Sequence, residues 1–175
     1  YRTVQELDLA ADIYRPRAAA ATARAAVIYV HGGGWRFGDK RRERAGFIEL
    51  AQHGFVVFSI DYRLVDVALF PACAADCKTA VRWIKKNAAR YGVDPDRVAL
   101  MGASAGGHLV ALTAVSGDAF ANSEYADQSL RVRAVVALYG VYDLRGASSL
   151  TAGSLVRGLI GGTEKERPDA YLAAS

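Results

Sequence analysis

Cysteine and histidine are scarce in this chain, with two of the first and three of the second among 175 residues. Cys73 and Cys77 stand four apart in a helical pattern. That spacing puts both on one face but suits a disulfide poorly inside a regular helix. No second cysteine pair completes a zinc site, and the histidines are distant in sequence, so no metal is expected. The two cysteines read as reduced core thiols and say little about compartment. Long apolar runs are absent too. None approaches the roughly 18–20 residues of a membrane span. The chain begins at Tyr1 with no visible cleavable signal. A soluble protein is expected, either cytoplasmic, mature secreted or trimmed. Charge of one sign is also lacking, since the net value is only +4 and is spread along the chain. The densest basic run, Lys40-Arg41-Arg42-Glu43-Arg44, carries a glutamate and no accompanying nucleic-acid motif. It reads as a solvated helix face. Repeats and low-complexity linkers are missing, which leaves a single domain over 1–175.

What is present is an alternation. Ala26–Val30, Phe55–Ile60, Val98–Met101 and Ala134–Leu138 are apolar on both faces, as buried parallel strands are. Leu7 to Tyr14 alternates loosely before Pro16 and reads as an early strand. Residues 17–25 are alanine-rich and read as a loop or disordered bulge. Between the strands lie helical patterns at Arg42–Gln52, at 72–91 and at Ala105–Val115. Gly54 stops the first and Gly92 the second. Strands alternating with helices give an α/β domain with a mostly parallel central sheet flanked by helices. Ligands in such sheets bind beyond the carboxyl ends of the strands. Both glycine-rich segments of the chain fall at such ends.

The second of these is Gly102-Ala103-Ser104-Ala105-Gly106, a G-x-S-x-G pentapeptide between a strand and a helical pattern. A serine on so sharp a turn sits in a strained backbone. Side chains two residues either side would collide, so glycine occupies both places. The hydroxyl is exposed and a helix N-terminus is aimed at it. A small-residue turn without chemistry is the plain alternative. The first segment is His31-Gly32-Gly33-Gly34-Trp35 after the strand Ala26–Val30. Its glycines let backbone N–H groups converge on one spot. Acyl transfer needs such donors because charge grows on the carbonyl oxygen, and one donor can be worth roughly 2.7–4 kcal/mol of barrier. The expected donors are the N–H groups of Gly33, Gly34 and Ala105. Phosphate cradling is the weaker use, since neither the P-loop pattern nor the dinucleotide fingerprint is present. No cofactor is expected.

The sequence resembles α/β-hydrolases of the esterase/lipase group related to hormone-sensitive lipase. Within it the chain is similar to bacterial carboxylesterases and feruloyl-esterase-like enzymes. His31-Gly-Gly-Gly-Trp35, Gly38-Asp39-Lys40, Asp61-Tyr-Arg-Leu64, Gly102-Ala-Ser-Ala-Gly-Gly-His-Leu109 and Tyr139-Gly-Val-Tyr-Asp-Leu144 carry the resemblance, with Tyr91–Arg97 between them. It implies ester hydrolysis through a Ser–acid–His triad with Ser104 as nucleophile. It also implies that Trp35 borders the substrate pocket and that Asp61 and Arg63 are structural ion-pair residues.

In this fold the acid and the histidine follow the serine in chain order. The resemblance implies about a further third of the domain, so the sequence reads as incomplete at its C-terminus. His31 is expected to brace its own turn and His53 to lie on the surface. His108, one helical turn beyond Ser104, is on the wrong side to act as base. Asp143 is the fallback triad acid, and otherwise a loop aspartate or helix cap. Without a base Ser104 is a poor nucleophile. The chain alone is therefore expected to hydrolyse esters slowly or not at all, and its sheet to end on an exposed edge. Substrates of the complete enzyme are expected to be esters with small or medium acyl groups, aryl and sugar esters included. The alternatives are an exopeptidase of the same fold and a non-catalytic binding module lacking the base.

Overall fold

The structure is a computed structural model and describes residues 1–4, 6–17, 22–147 and 152–175. The chain opens with an antiparallel pair, β1 (Arg2–Val4) and β2 (Leu7–Leu9). The single early strand expected over Leu7–Tyr14 is thus two strands. The chain breaks at Ala10, whose carbonyl accepts from Asp61 N–H at 3.0 Å, and continues as β3 (Ala11–Tyr14). Four further strands follow: β4 (Arg24–Val30), β5 (Val56–Ile60), β6 (Val93–Ala103) and β7 (Ala134–Leu138). They form one sheet in the order β3-β5-β4-β6-β7, parallel throughout except for β3 at the edge. This is the mostly parallel, helix-flanked sheet expected. Strand β4 begins earlier than its apolar run, at Arg24, so residues 24 and 25 are strand rather than loop. Residues 18–21 of the expected alanine-rich loop lie outside the described residues.

Helix α1 (Arg44–Gln52) links β4 to β5 across one face of the sheet, where Phe47 packs on Val27, Tyr29 and Val57. The basic run Lys40–Arg44 is not the helix face expected. It forms the turn leading into α1, where Lys40 pairs with Asp61 at 2.8 Å and Arg41 with Asp39 at 2.6 Å. Helices α2 (Ala72–Lys86), α3 (Ala88–Tyr91) and α4 (Ala105–Val115) cover the opposite face. The one helix expected over 72–91 is interrupted at Asn87, and Gly92 ends α3 in the left-handed conformation that glycine tolerates best. Helix α4 has no polar face and is buried along most of its length, as a helix apolar all round must be. Cys73 and Cys77 are free and buried on α2, and burial pushes the Cys73 thiol up to about 12.

Two helices had no counterpart in the sequence reading, α5 (Gly153–Ile160) and α6 (Pro168–Ala173). Val156, Leu159, Ile160 and Tyr171 join the core beside Trp35 and Ala105. Strand β7 differs from the other parallel strands. Val136 is 43% exposed and its neighbours Val135 and Leu138 only a little less. Its apolar run reads as buried, yet among the described residues no strand pairs with its outer edge.

The topology positions the site. Strand β4 feeds α1 on one face, and the adjacent strand β6 feeds α4 on the other. Their carboxyl ends therefore flank a crevice at the switch point of the sheet. On the α2 side, the fully buried Asp76 ties three parts of the chain together. Arg2 of β1 and Arg63, just past β5, both pair with it, Arg63 through Nε at 2.8 Å. Asp76→Ala leaves the largely buried Arg63 guanidinium without its carboxylate and Arg2 with Glu124 alone. The expected cost is about 3–5 kcal/mol, read as a lower urea midpoint with an unchanged slope. A loss below about 1 kcal/mol would mean the pair contributes no more than a surface one.

Candidate active site

Ser104 occupies the one-residue turn between β6 and α4, with φ 55° and ψ −120°. L-residues adopt such a conformation at a cost of roughly 1–3 kcal/mol, and only where the surroundings over-determine it. Here they do. Ser104 N–H is donated to Leu138 O at 2.9 Å, and Ser104 O accepts from His108 N–H at 3.0 Å. The flanking glycines are needed for space. A Cβ on Gly102 would run into Gly106 O, and one on Gly106 into Val30 O. The side chain of Ser104 is left exposed at the start of an eleven-residue helix, whose N-terminal dipole favours negative charge there.

The loop after β4 comes directly against this turn. A Cβ on Gly32 would lie 3.3 Å from Ser104 Cβ and 2.8 Å from Ala103 O. Gly33, Gly34 and Trp35 follow with φ of 125°, 60° and 60°. This run of left-handed residues turns the backbone sharply. Gly33 O closes the turn by accepting from Arg36 and Phe37 N–H at 3.1 and 3.0 Å. Among the described residues, none of the N–H groups of Gly33, Gly34 and Ala105 is donated to a backbone carbonyl. Trp35 O accepts from Val65 N–H at 3.0 Å. The Trp35 side chain is 2% exposed and packs into the core, leaving almost no surface for a ligand. Leu155 of α5 instead stands against Gly34, within 2.8 Å of where a Cβ would be. The sequence reading missed it, because nothing local in sequence links α5 to the loop. Asp61 and Arg63 are both in ion pairs, but with Lys40 and Asp76 rather than with each other.

None of the three histidines faces Ser104. His31 is buried, with Nδ1 on Gly32 O at 2.8 Å and its ring stacked on Tyr62, whose hydroxyl donates to His31 O. His53 caps α1 and is exposed. His108 is buried between Trp35 and Ala174. Asp143 lies beyond β7 on the surface, bound by the Arg145 guanidinium, which holds its carboxyl well below the usual carboxylate range. No histidine touches it among the described residues. No cluster of three or more His, Cys, Asp or Glu suited to a metal occurs among them either, and no helix there is long and apolar enough to cross a membrane.

A strained serine between strand and helix, pressed against a glycine loop at the switch point, is the arrangement of the α/β-hydrolase fold. Comparison with known proteins agrees. The esterase Est2 of Thermogutta terrifontis, solved with propionate bound, superposes with a TM-score of 0.80 at 32% identity, over 97% of this chain and 62% of that one. A BD-FAE family profile matches residues 11–175, and the chain belongs to that family. It is 36% identical over 142 residues to Esterase LipQ of Mycobacterium tuberculosis, covering 79% of this chain and 34% of the relative. It is also 36% identical over 113 residues to an arylesterase of Saccharolobus solfataricus, covering 64% of this chain and 36% of that protein. The chain thus spans about a third of the length of these two curated relatives.

Burial lowers the pKa of both His31 and His108, against a smaller opposing effect of their backbone hydrogen bonds. The unfolded chain therefore takes up protons below about pH 6.5 that the folded chain refuses. Their contribution to stability is complete above that pH and is lost as pH falls toward the lowered folded values. Urea midpoints measured from pH 7.5 down to 5.5 are expected to fall, each unit of lowering corresponding to about 1.4 kcal/mol. A flat midpoint over that range would contradict it.

Proposed function

We propose that the enzyme containing this chain is a serine carboxylic-ester hydrolase and that Ser104 is its nucleophile. Ser104 Oγ attacks the ester carbonyl, the alcohol leaves, and water releases the acyl-enzyme. The carbonyl oxygen becomes an oxyanion that the N–H groups of Gly33, Gly34 and Ala105 receive. The observation that carries the reading is the contact between the two motifs. The strained Ser104 and the loop Gly32–Trp35, left-handed from Gly33 on, pack so closely that a Cβ on Gly32 would lie 3.3 Å from Ser104 Cβ, although they leave different strands. Phosphate cradling does not account for an exposed serine held there at positive φ.

Proton transfer requires a base within reach of the hydroxyl. Since all three histidines of residues 1–175 are engaged elsewhere or remote, the reading takes the triad histidine from further residues of a longer enzyme. The acid comes from there too, with Asp143 as the alternative. Residues 1–175 by themselves then turn over esters slowly or not at all. The substrates in this reading are esters of small or medium acyl groups. Est2 has been solved with propionate and with butyrate bound, which supports short acyl chains, and the arylesterase supports aryl alcohols. Trp35 contributes to substrate binding by holding the loop rather than by touching the ligand.

A fluorophosphonate is expected to label Ser104 in the full-length enzyme, and Ser104→Ala to abolish both labelling and turnover of nitrophenyl esters. Labelling elsewhere, or none in an active sample, would reject the assignment. Gly32→Ala inserts a methyl group between the two motifs. Its kcat is expected to fall at least about 100-fold, since small misplacements of reacting groups cost that much. A Gly32→Ala enzyme with native kcat would mean the loop takes no part.

A further inference from the structure

His108 is buried, titratable and unused by the chemistry proposed above. Its surroundings nevertheless specify it completely. Trp35 Nε1 lies 3.3 Å from His108 Nδ1, with the two rings edge to face at 5.3 Å. An indole N–H can only donate, so Nδ1 must accept. On the far side, Nε2 lies 2.7 Å from Ala174 O at the end of α6. A carbonyl oxygen can only accept, so Nε2 must carry the proton. Both neighbours demand one neutral tautomer. An imidazolium would set a second donor against the Trp35 N–H.

The same residue is bound to the nucleophile turn through its main chain, where His108 N–H donates to Ser104 O. It therefore joins two things that must be held at a fixed distance. Ala105, the donor on the helix side, is one turn away on the same helix. Gly33 and Gly34, the donors on the loop side, immediately precede Trp35. That loop does not hold its shape by itself, because Trp35 is an L-residue at φ 60°. A buried indole with its N–H satisfied is what keeps it there.

We infer that His108, as the Nε2–H tautomer set by Ala174 O, is a positioning residue that locks the oxyanion loop to the nucleophile helix through Trp35. This rests on the reading of Ser104 as nucleophile and adds what fixes the two halves of the hole together. It also gives α6 a part in the site, although that helix lies far from Ser104 in sequence. Loss of the acceptor at Nδ1 leaves a buried indole N–H unpaired, and the loop can relax from its left-handed turn. Binding of substrate changes little. Stabilisation of the developing oxyanion is what suffers.

The test uses the full-length enzyme and nitrophenyl esters. His108→Leu removes the acceptor at similar volume, while His108→Asn places an amide oxygen near the position of Nδ1. The Leu variant is expected to lose kcat about 100-fold with KM within threefold, as a loss of transition-state contacts alone would do. The Asn variant is expected to recover most of that loss. Trp35→Phe removes the donor while keeping a large ring. It is expected to match the Leu variant in kcat, and it decides the matter should the Leu variant not fold. Nitrogen-15 NMR at pH 7.5 is expected to show His108 protonated at Nε2 alone. A Leu or Phe variant with native kcat, equal kcat in the Leu and Asn variants, or a proton on Nδ1 would each overturn the inference. Failure of the nucleophile reading is distinguishable, since the fluorophosphonate would then leave Ser104 of the native enzyme unlabelled, with or without turnover.

Discussion

The site depends on backbone packed against backbone. Around Ser104 the end of β4, the turn out of β6, the first turn of α4 and the end of β7 approach more closely than any Cβ permits. Gly106 sits on the carbonyls of Val30 and His31, Gly107 on that of Leu138, and Gly32 on that of Ala103. Strain at one serine is tolerable because all its neighbours are held in this way. The glycines are thus a packing requirement first, and conformational freedom matters mainly at Gly33 and Gly34, where φ is positive.

Around this centre, buried polar groups act as braces. His31 fastens its own loop through Gly32 O and Tyr62, and Lys40 with Asp61 holds the turn that follows. Asp76 fastens the N-terminal pair of strands to α2 and to the chain beyond β5. Further along α2, Lys78, Arg82 and Lys85 reach the carbonyls of Gly117, Asn122 and Arg131. These cations lie on one side of the helix and pin the connection between α4 and β7. Each charge is hydrogen-bonded, as burial requires. Ser104 is exposed within this heavily braced surround.

The two faces of the sheet are unequal. The face under α2 and α4 holds most of the core, whereas the α1 face has a small buried cluster around Phe47. Beside that cluster an apolar groove of about 420 Å3 runs past Met101, Leu138 and Tyr139. Strand β7, which borders it, is exposed along its length. An apolar strand whose outer edge pairs with no other strand among the described residues invites further pairing.

The sequence by itself determined the alternating architecture, the strand cores at Ala26–Val30 and Val98–Met101, and the two glycine segments. These signals are local, written in runs of apolar residues and in turns that only glycine fits. It did not reveal the break at Ala10, the interruption at Asn87, or helices α5 and α6. The family resemblance placed Trp35 at the border of the substrate pocket, and the fold shows its side chain buried. Only the tertiary structure decided which strands are neighbours, and hence that the loop after β4 and the turn after β6 meet. Only it showed His108 between Trp35 and Ala174, since a histidine's tautomer and partners are set by groups that no periodicity relates to it.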